Sequence, residues 1–574
     1  MQTEQLPSPA SSAKDQVGAA LFKRPASGLL AVTLVAFLVA GTLVFLGLFF
    51  LWPSFTLIGM GLFAEGELDL SAFQTLLTQS HTWSVIWRTI WMALAGTVGS
   101  VICGLPLAFV LYKLRFPGRT IARGLIAVPF VLPTVAVAAG YQTLFTRGGW
   151  LEFLHLEHTE TAIIIAMIFF NTALIARSVG SLWARLDPRL EQAARTLGAT
   201  PSRTFRTVTL PALRPAILSA ASLVFLYCST AYSLVMVLGG IGVSTIETEI
   251  YYETTQYLNL RGAAVLSIVQ ILIVALALLL AFRSSRKAET SLRFNATVVD
   301  RPLRASDAPV TIASILIVLV VIALPLVNVV IRSLRRGGEW TLANYTDMAD
   351  PQAAKVLQTS VLESLWLTLK TGAVAALIAV LVGLIVVVIA SRPVRSPKVR
   401  TLQSTYDALF MLPLGVSAVT VGFGFLVTLD APPLNLGQSD LMVPLAQAIV
   451  AIPLVVRVTA PTIRGINDRL RQAAATLGAS PLRVLVTVDG PMILRAALVA
   501  AGFAMAVCMG EFGATSFLIR PQSPTLPIVI YQLVSRPGAT EQGMAMAACM
   551  LLCVSAAAIM VAVEKLRPQS LGGF

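Results

Sequence analysis

One ionisable side chain lies deep inside an apolar segment of the sequence. Glu511 stands between Gly510 and Gly513 in a stretch that we predict to cross a membrane at 493–518. A carboxylate at membrane depth is costly unless it faces a cavity or pairs with a cation. We therefore expect Glu511 to contact a charged solute, and we predict that Gly510 and Gly513 lie with it on a path through the protein. An alternative of equal weight is that Glu511 lies near the outer interface and caps or gates a broken helix there.

Two further sets of polar residues could bind a solute or a metal. Asn171 and Gln270 also lie at membrane depth, where an amide more often bonds to a neighbouring helix than to a ligand. We keep Asn171 as a candidate for the solute path. His155 and His158 would share one helical face at their spacing, but an exposed outer loop explains them as well. We therefore predict no metal site.

The sequence contains no phosphate-binding loop of the form Gly-x-x-x-x-Gly-Lys-Ser/Thr. Without that cradle of backbone amides, ATP hydrolysis has no site in this chain. We predict no catalytic residue and no bound cofactor. If the chain performs ATP-driven work, the energy must come from a separate protein that uses ATP and magnesium.

One short segment occurs twice. Leu-Glu-Gln-Ala-Ala-Arg-Thr-Leu-Gly-Ala-Thr-Pro spans 190–201, and Leu-Arg-Gln-Ala-Ala-Ala-Thr-Leu-Gly-Ala-Ser-Pro spans 470–481, 280 positions later. The same offset relates other pairs of residues, among them Pro133 and Pro413, Arg177 and Arg457, and Tyr251 and Tyr531. A constant offset over so long a stretch indicates two tandem copies of one fold.

The repeated segment has the features of a docking element. Four residues of the first copy form a narrow apolar face at helical spacing, namely Leu190, Ala193, Ala194 and Leu197. Gly198 then ends the helix, because a residue at positive φ is favoured there. Thr200 and Pro201 are typical of the cap and first position of a second helix. Gly478 and Pro481 repeat these signals.

The composition requires a membrane. Hydrophobic residues make up 56% of the 574 residues, charged residues 12%, and the mean hydropathy is +0.81. Stretches of about 20 apolar residues are long enough to span the hydrocarbon core. We predict an all-α integral membrane protein with about 12 such helices, at 29–51, 86–112, 122–146, 161–183, 213–239, 262–282, 309–331, 363–390, 404–429, 441–463, 493–518 and 542–563.

The net charge of +14 does not indicate nucleic acid, because the basic residues collect in alternate loops. This positive-inside pattern places those loops and both termini in the cytosol. Arg332, Arg335 and Arg336 disagree, since they fall on the predicted outer side. The predicted domains are a cytosolic tail at 1–28, a first half at 29–284, a linker at 285–308, a second half at 309–566 and a tail at 567–574.

The repeated segments resemble the cytosolic signature of permeases of bacterial ATP-binding-cassette importers. That signature runs Glu-Ala-Ala, three residues, Gly, and later Leu-Pro, which stands here as Leu210-Pro211. The signature's Glu is replaced by Gln192 and Gln472. The residues that the resemblance assigns to contact with the ATPase are Gln192, Ala193, Ala194, Leu197, Gly198, Pro201, Gln472, Ala473, Ala474, Leu477, Gly478 and Pro481.

The phrase Gly-Glu-Phe-Gly-Ala-Thr at 510–515, with the fused form of the chain, resembles the iron(III) and thiamine permease group. This resemblance implies two tandem six-helix, MetI-like halves in the bacterial inner membrane. It also implies two copies of an ATPase below and an extracytoplasmic solute-binding protein above. We expect that protein to dock near Tyr251 and Tyr531, on short outer interfacial helices.

The sequence leaves the solute open. Iron(III) is slightly favoured over thiamine by that phrase, and importers of another small solute, such as a phosphonate or a polyamine, are alternatives. A secondary transporter driven by an ion gradient also has two six-helix halves, but it predicts ionisable relays in both of them. A receptor or scaffold without transport is a third class. Co-purification of an ATPase would separate these classes.

Overall fold

The computed structural model describes residues 26–130, 132–240, 242–289, 300–350, 357–392, 396–432 and 434–566. Residues 1–25 of the predicted N-terminal tail, 290–299 of the linker and the whole tail 567–574 lie outside these ranges. The described chain is mostly helical, as the sequence predicts.

The helices of the first half follow one another in the order α1 (Ala26–Leu46), α2 (Trp52–Leu62), α3 (Ser71–Thr78), α4 (Ser80–Lys113), α5 (Arg119–Ala127), α6 (Thr134–Phe145), α7 (Glu160–Trp183), α8 (Pro188–Thr196), α9 (Pro201–Thr204), α10 (Leu210–Ser229), α11 (Tyr232–Leu238), α12 (Ile246–Thr255) and α13 (Leu260–Glu289). Single turns of π-helix at Gly47–Leu51 and Phe205–Thr209 join α1 to α2 and α9 to α10, so each of these pairs is one continuous rod.

The second half repeats this order with α14 (Ala308–Ile317), α15 (Leu324–Ser333), α16 (Ala343–Thr346), α17 (Val361–Ala390), α18 (Pro397–Met411), α19 (Ala418–Thr428), α20 (Met442–Arg464), α21 (Asp468–Thr476), α22 (Pro481–Val484), α23 (Gly490–Met509), α24 (Thr515–Leu518), α25 (Leu526–Val534) and α26 (Ala539–Leu566). Turns of π-helix at Val318–Ala323 and Leu485–Asp489 occupy the corresponding joints.

Six two-residue strands form three small ladders at the ends of the helices. β1 (Phe63–Ala64) pairs antiparallel with β2 (Glu67–Leu68), and β5 (Arg335–Arg336) pairs in the same way with β6 (Glu339–Trp340). β3 (Leu114–Arg115) pairs parallel with β4 (Arg301–Pro302), so the end of the linker docks on the first half.

Among the described residues, ten helices are long and apolar enough to cross a membrane, and the pair α18 and α19, bent by 96°, brings the number to eleven. The straight spans predicted at 122–146 and 404–429 are therefore wrong. The first divides into α5 and α6 before Pro133, because a proline disfavours helical backbone in the residue before it. The second breaks before Ser417, whose hydroxyl accepts a bond from Thr420 N (3.0 Å) and starts a new helix.

The spans predicted at 213–239 and 493–518 also end earlier than expected. α10 stops at Ser229 and α23 at Met509, and each is followed by a short separate helix. Glu511 consequently lies in the break after a span rather than inside it. The seventh span ends at Ser333, and Arg335 and Arg336 lie in the β5–β6 hairpin, where Arg336 pairs with Asp347 at 2.7 Å.

The two halves interlock rather than lie side by side. α6 of the first half packs against α15, α25 and α26, while α19 of the second half packs against α2 and α12. Hydrogen bonds cross the same interface: Asn328 Nδ2 donates to the carbonyl oxygen of Gly140 (3.0 Å), and the hydroxyls of Thr42 and Tyr406 lie 2.6 Å apart. The larger of two buried apolar clusters contains residues of both halves.

Candidate functional site

The first repeated segment folds as two short helices with a sharp turn between them. The Asp187 carboxylate accepts a bond from Arg189 N (2.9 Å) at the start of α8. Gly198 ends this helix at φ +83°, and Thr200 Oγ1 accepts a bond from Arg203 N (3.3 Å) to begin α9. The local structure predicted from the glycine, the cap and the proline is confirmed.

The second copy repeats this geometry with different cap residues. Asn467 replaces Asp187 and accepts a bond from Arg469 N (3.0 Å). Gly478 ends α21 at φ +80°, and Ser480 Oγ accepts a bond from Arg483 N (3.4 Å). We call the two segments, 187–201 and 467–481, the docking segments.

Each docking segment presents apolar side chains to the surroundings. Leu197 and Leu477 are each 88% exposed, and Leu190 and Leu470 are about half exposed. Gln192, Ala193, Gln472 and Ala473 are exposed as well, whereas Ala194 and Ala474 are partly covered. An exposed leucine that recurs at the same position of both copies fits a surface that a partner covers. The ATPase contact assigned to these residues stays a prediction.

A side-chain pair that the sequence analysis missed fixes each docking helix to the next span. In the first half Thr209 Oγ1 donates to Glu191 Oε1 (2.9 Å). In the second half Arg471 Nε donates to Asp489 Oδ1 (2.9 Å). Both pairs join the first turn of a docking helix to the end of a π-helical turn. The two residues of one pair lie 280 positions before the two residues of the other. The repeat offset was therefore the signal that could have revealed these pairs.

Glu511 is buried, and the residues that follow it in the chain donate hydrogen bonds to its carboxylate. It accepts hydrogen bonds from Ala514 N (2.7 Å), Thr515 N (3.0 Å) and the Thr515 hydroxyl. These donors belong to the start of α24, so the geometry favours the helix-capping alternative. A Cβ at Gly510 would lie 3.1 Å from Pro133 Cα, which shows that this turn packs tightly against the first half.

Asn171 is held between two helices of the first half. Its Nδ2 donates to Met167 O (2.9 Å) in α7 and contacts Cys228 Sγ of α10 at 3.5 Å. This favours the interhelical role over contact with a solute. His155 and His158 both have positive φ and lie exposed in the loop before α7, so the loop explanation of these residues fits and they share no helical face.

Aromatic rings of both halves meet where the halves join. Tyr232 stacks on Phe512, with centroids 5.4 Å apart and planes 24° apart. Tyr251 lies 5.9 Å from Tyr232, and Tyr531 lies 5.5 Å from Phe512. Tyr232 and Phe512 are equivalent positions of the repeat, as are Tyr251 and Tyr531. We call these four residues the aromatic cluster.

The segments that carry Tyr251 and Tyr531 differ from the exposed outer helices that were expected. α12 and α25 are largely buried, since the second half packs on α12 and the first half packs on α25. Contact between the halves accounts for the difference, and the sequence of one segment alone does not reveal it. The burial of α12 also encloses Glu247, a carboxyl group that the sequence analysis did not single out.

Residues 100–294 match the model of the family described as binding-protein-dependent transport system inner membrane component. The sulfate transport system permease protein CysT of Salmonella typhimurium is 31% identical over 191 residues, which cover 30% of this chain and 69% of that protein. The chain belongs to this family. It is thus a permease subunit and not an enzyme, and its ATPase is a separate subunit.

The likeness to other members extends over both halves. The thiamine transport system permease protein ThiP of Brucella suis is 26% identical over 556 residues, covering 94% of this chain and 95% of that protein. ThiP of Salmonella typhimurium is 25% identical over 505 residues, covering 86% and 91%. This importer permease therefore carries two fused MetI-like halves in one multi-pass chain of the inner membrane and serves a small solute.

Proposed function

We propose that this permease moves thiamine, or a similar flat aromatic cation, from an extracytoplasmic binding protein to the cytosol. Its similarity over nearly the whole length to proteins named thiamine permeases supports this solute. No finding supports the slight preference for iron(III) drawn from the sequence. Two copies of an ATPase, with ATP and magnesium, would dock on the docking segments.

The aromatic cluster is the observation that carries this proposal. Thiamine consists of two flat rings, one of which bears a fixed positive charge. Aromatic faces attract such cations and also stack on flat rings. Tyr232 and Phe512 are 3% and 2% exposed and stack on each other. In this proposal their contact closes the solute path between the halves. Separation of the halves would uncover the ring faces for a solute.

Each docking segment is linked to the aromatic cluster by one rod of helix. The rod Pro201–Ser229 is 29 residues long, which at 1.5 Å per residue reaches about 44 Å. Tyr232 follows its far end after a short break, and Phe512 follows the end of the equivalent rod in the second half. Closure of the ATPase pair would draw the docking segments together and move both rods. The contact between Tyr232 and Phe512 would then separate.

Reconstitution tests this proposal. The permease, its ATPase and its binding protein are placed in proteoliposomes, and ATP-dependent uptake of thiamine is compared with uptake of iron(III) and spermidine. We expect thiamine-loaded binding protein to stimulate both ATP hydrolysis and thiamine uptake. Uptake of iron(III) or spermidine alone would overturn the choice of solute. Uptake that needs an ion gradient and no ATPase would assign the chain to secondary transport.

A further inference from the structure

Glu247 is a buried carboxyl group at the interface between the halves. It follows Thr245 and Ile246 at the start of α12, and its side chain is fully buried. Neither carboxylate oxygen makes a hydrogen bond within the part of the chain that the structure describes. An ionised carboxyl group in such a place is costly, so it requires a proton or a positively charged partner.

Two polar side chains lie next to this carboxyl group. The groups that face it are the Gln270 carboxamide from α13 and the Ser417 hydroxyl from the second half. Gln270 Nε2 donates to Ser229 O (3.0 Å), while its Oε1 accepts no hydrogen bond from any described residue. The two Glu247 oxygens and Gln270 Oε1 are thus buried acceptors that no described residue satisfies, and such a group is suited to a cation.

The polar group occurs on one side of the molecule only. The equivalent positions in the other copy are Pro527 for Glu247, Met550 for Gln270 and Val137 for Ser417. Packing between helices does not require these polar side chains, because apolar residues pack at the equivalent interface. Val137 and Met550 line an apolar cavity of about 220 Å³ there.

Glu247 shares a helix face with one ring of the aromatic cluster. Tyr251 follows it by four residues, a spacing that brings two side chains onto the same side of a helix. The Tyr251 ring lies 5.9 Å from Tyr232 and 5.4 Å from Phe517 of the second half. The carboxyl group is therefore one helical turn from the rings, at the same interface.

We propose that Glu247, with Gln270 Oε1 and the Ser417 hydroxyl, binds the positive charge of the solute when the halves separate, while the aromatic cluster receives its rings. This rests on the proposed function. Glu247 then selects cations over neutral molecules of the same shape. Glu511 does not take this role, because the backbone of its own helix occupies its carboxylate.

Transport selectivity tests the role of Glu247. The variant Glu247→Gln keeps the size of the side chain and removes its charge, so we expect the complex to assemble as before. We expect ATP-driven thiamine uptake to fall at least tenfold, with a higher KM, relative to the neutral analogue thiochrome. The matched control is Glu249→Gln on the same helix, where the native carboxylate bonds to His81 at 3.0 Å. An unchanged ratio of thiamine to thiochrome uptake in Glu247→Gln would overturn the proposal.

A chemical measurement separates this proposal from the choice of solute. Dicyclohexylcarbodiimide reacts with carboxyl groups in apolar surroundings, and mass spectrometry locates the product. In the complex with its ATPase, trapped with ATP and vanadate, we expect thiamine to protect Glu247 from labelling. Protection by spermidine but not thiamine would reject thiamine and retain the cation site. Equal labelling with every cation would reject the site even if thiamine is transported.

Discussion

The Nε atom of Arg471 lies 2.9 Å from Oδ1 of Asp489, and this ion pair fixes the second docking segment to the span that follows it. The equivalent positions of the first half hold a neutral donor and a carboxylate, Thr209 and Glu191, at the same distance of 2.9 Å. The same joint between a docking segment and the next span therefore occurs in both halves, but different side chains form it. This joint adds a second connection between a docking segment and its rod of helix, beside the chain itself.

Loss of the ion pair in the second half should weaken coupling to the ATPase more than loss of the hydrogen bond in the first half. In Asp489→Ala the partly buried guanidinium of Arg471 loses this carboxylate, at a cost on the order of 1–3 kcal/mol, whereas Thr209→Val loses a single bond of about 1 kcal/mol. We expect Asp489→Ala to lower the stimulation of ATP hydrolysis by loaded binding protein several-fold. Basal hydrolysis should not change.

The exchanged pair is the control for this prediction. A chain with Arg471→Asp and Asp489→Arg retains both charges, so we expect most of the stimulation to return. A loss in Asp489→Ala that the exchange does not restore would indicate that Asp489 acts through other contacts.

Gly198 and Gly478 should be needed for their backbone conformation rather than for space. Both have positive φ, and a Cβ at either position meets no described atom within 4 Å. Valine at positive φ costs about 1–2 kcal/mol, while asparagine adopts this conformation readily. We expect Gly198→Val with Gly478→Val to weaken binding of the ATPase at least tenfold and Gly198→Asn with Gly478→Asn to weaken it little.

Surface immobilisation of the permease in nanodiscs measures these affinities. The melting temperature of the permease should fall little in both double variants, because a strained turn in an exposed docking segment can unfold locally. Equal affinity of the valine and asparagine variants would contradict a conformational role for these glycines.

The docking segments were predictable because their signals are local. A glycine at positive φ, a threonine or serine cap and a proline at the first helical position specify the turn without help from distant residues. The bends before Pro133 and Ser417 were harder to predict, because an apolar run has the same composition whether it crosses the membrane straight or bent. Helices α18 and α19 together are long and apolar enough for a single span, although they are bent by 96°.

Glu247 and the aromatic cluster could not be derived from one segment at a time. The burial of α12 depends on α19, whose residues lie far away in the sequence. The repeat offset does pair Tyr232 with Phe512, but it does not state that equivalent residues touch. Only packing of the two halves against each other brings the two rings into contact.

Glu511 should matter for stability more than for the choice of solute. Its carboxylate accepts three bonds at the start of α24, and loss of a helix cap typically costs about 1 kcal/mol. We expect Glu511→Ala to lower the melting temperature and Glu511→Gln, which retains an acceptor, to lower it less. The uptake ratio of thiamine to thiochrome should stay the same in Glu511→Gln. A changed ratio would return Glu511 to the solute path.

Tyr232 and Phe512 should close the passage together. Truncation of either ring to alanine removes the stacked contact, so we expect Tyr232→Ala and Phe512→Ala each to raise passive efflux of thiamine from proteoliposomes without ATP several-fold. Because both variants break the same contact, the double variant should leak little more than either single variant. Tyr232→Phe keeps the ring and loses only the hydroxyl bond to Ser516 Oγ (3.3 Å), so its efflux should stay close to that of the native chain.

Large truncations also destabilise proteins, by about 3–5 kcal/mol for a buried aromatic ring. Leakage from an unfolded permease would admit any small solute, whereas an opened aromatic passage should still exclude molecules much larger than thiamine. Efflux of a large dye, measured in the same vesicles, separates the two causes. Retention of the dye with loss of thiamine would support a gate at Tyr232 and Phe512. If neither alanine variant raises thiamine efflux, the closed gate lies elsewhere in the interface.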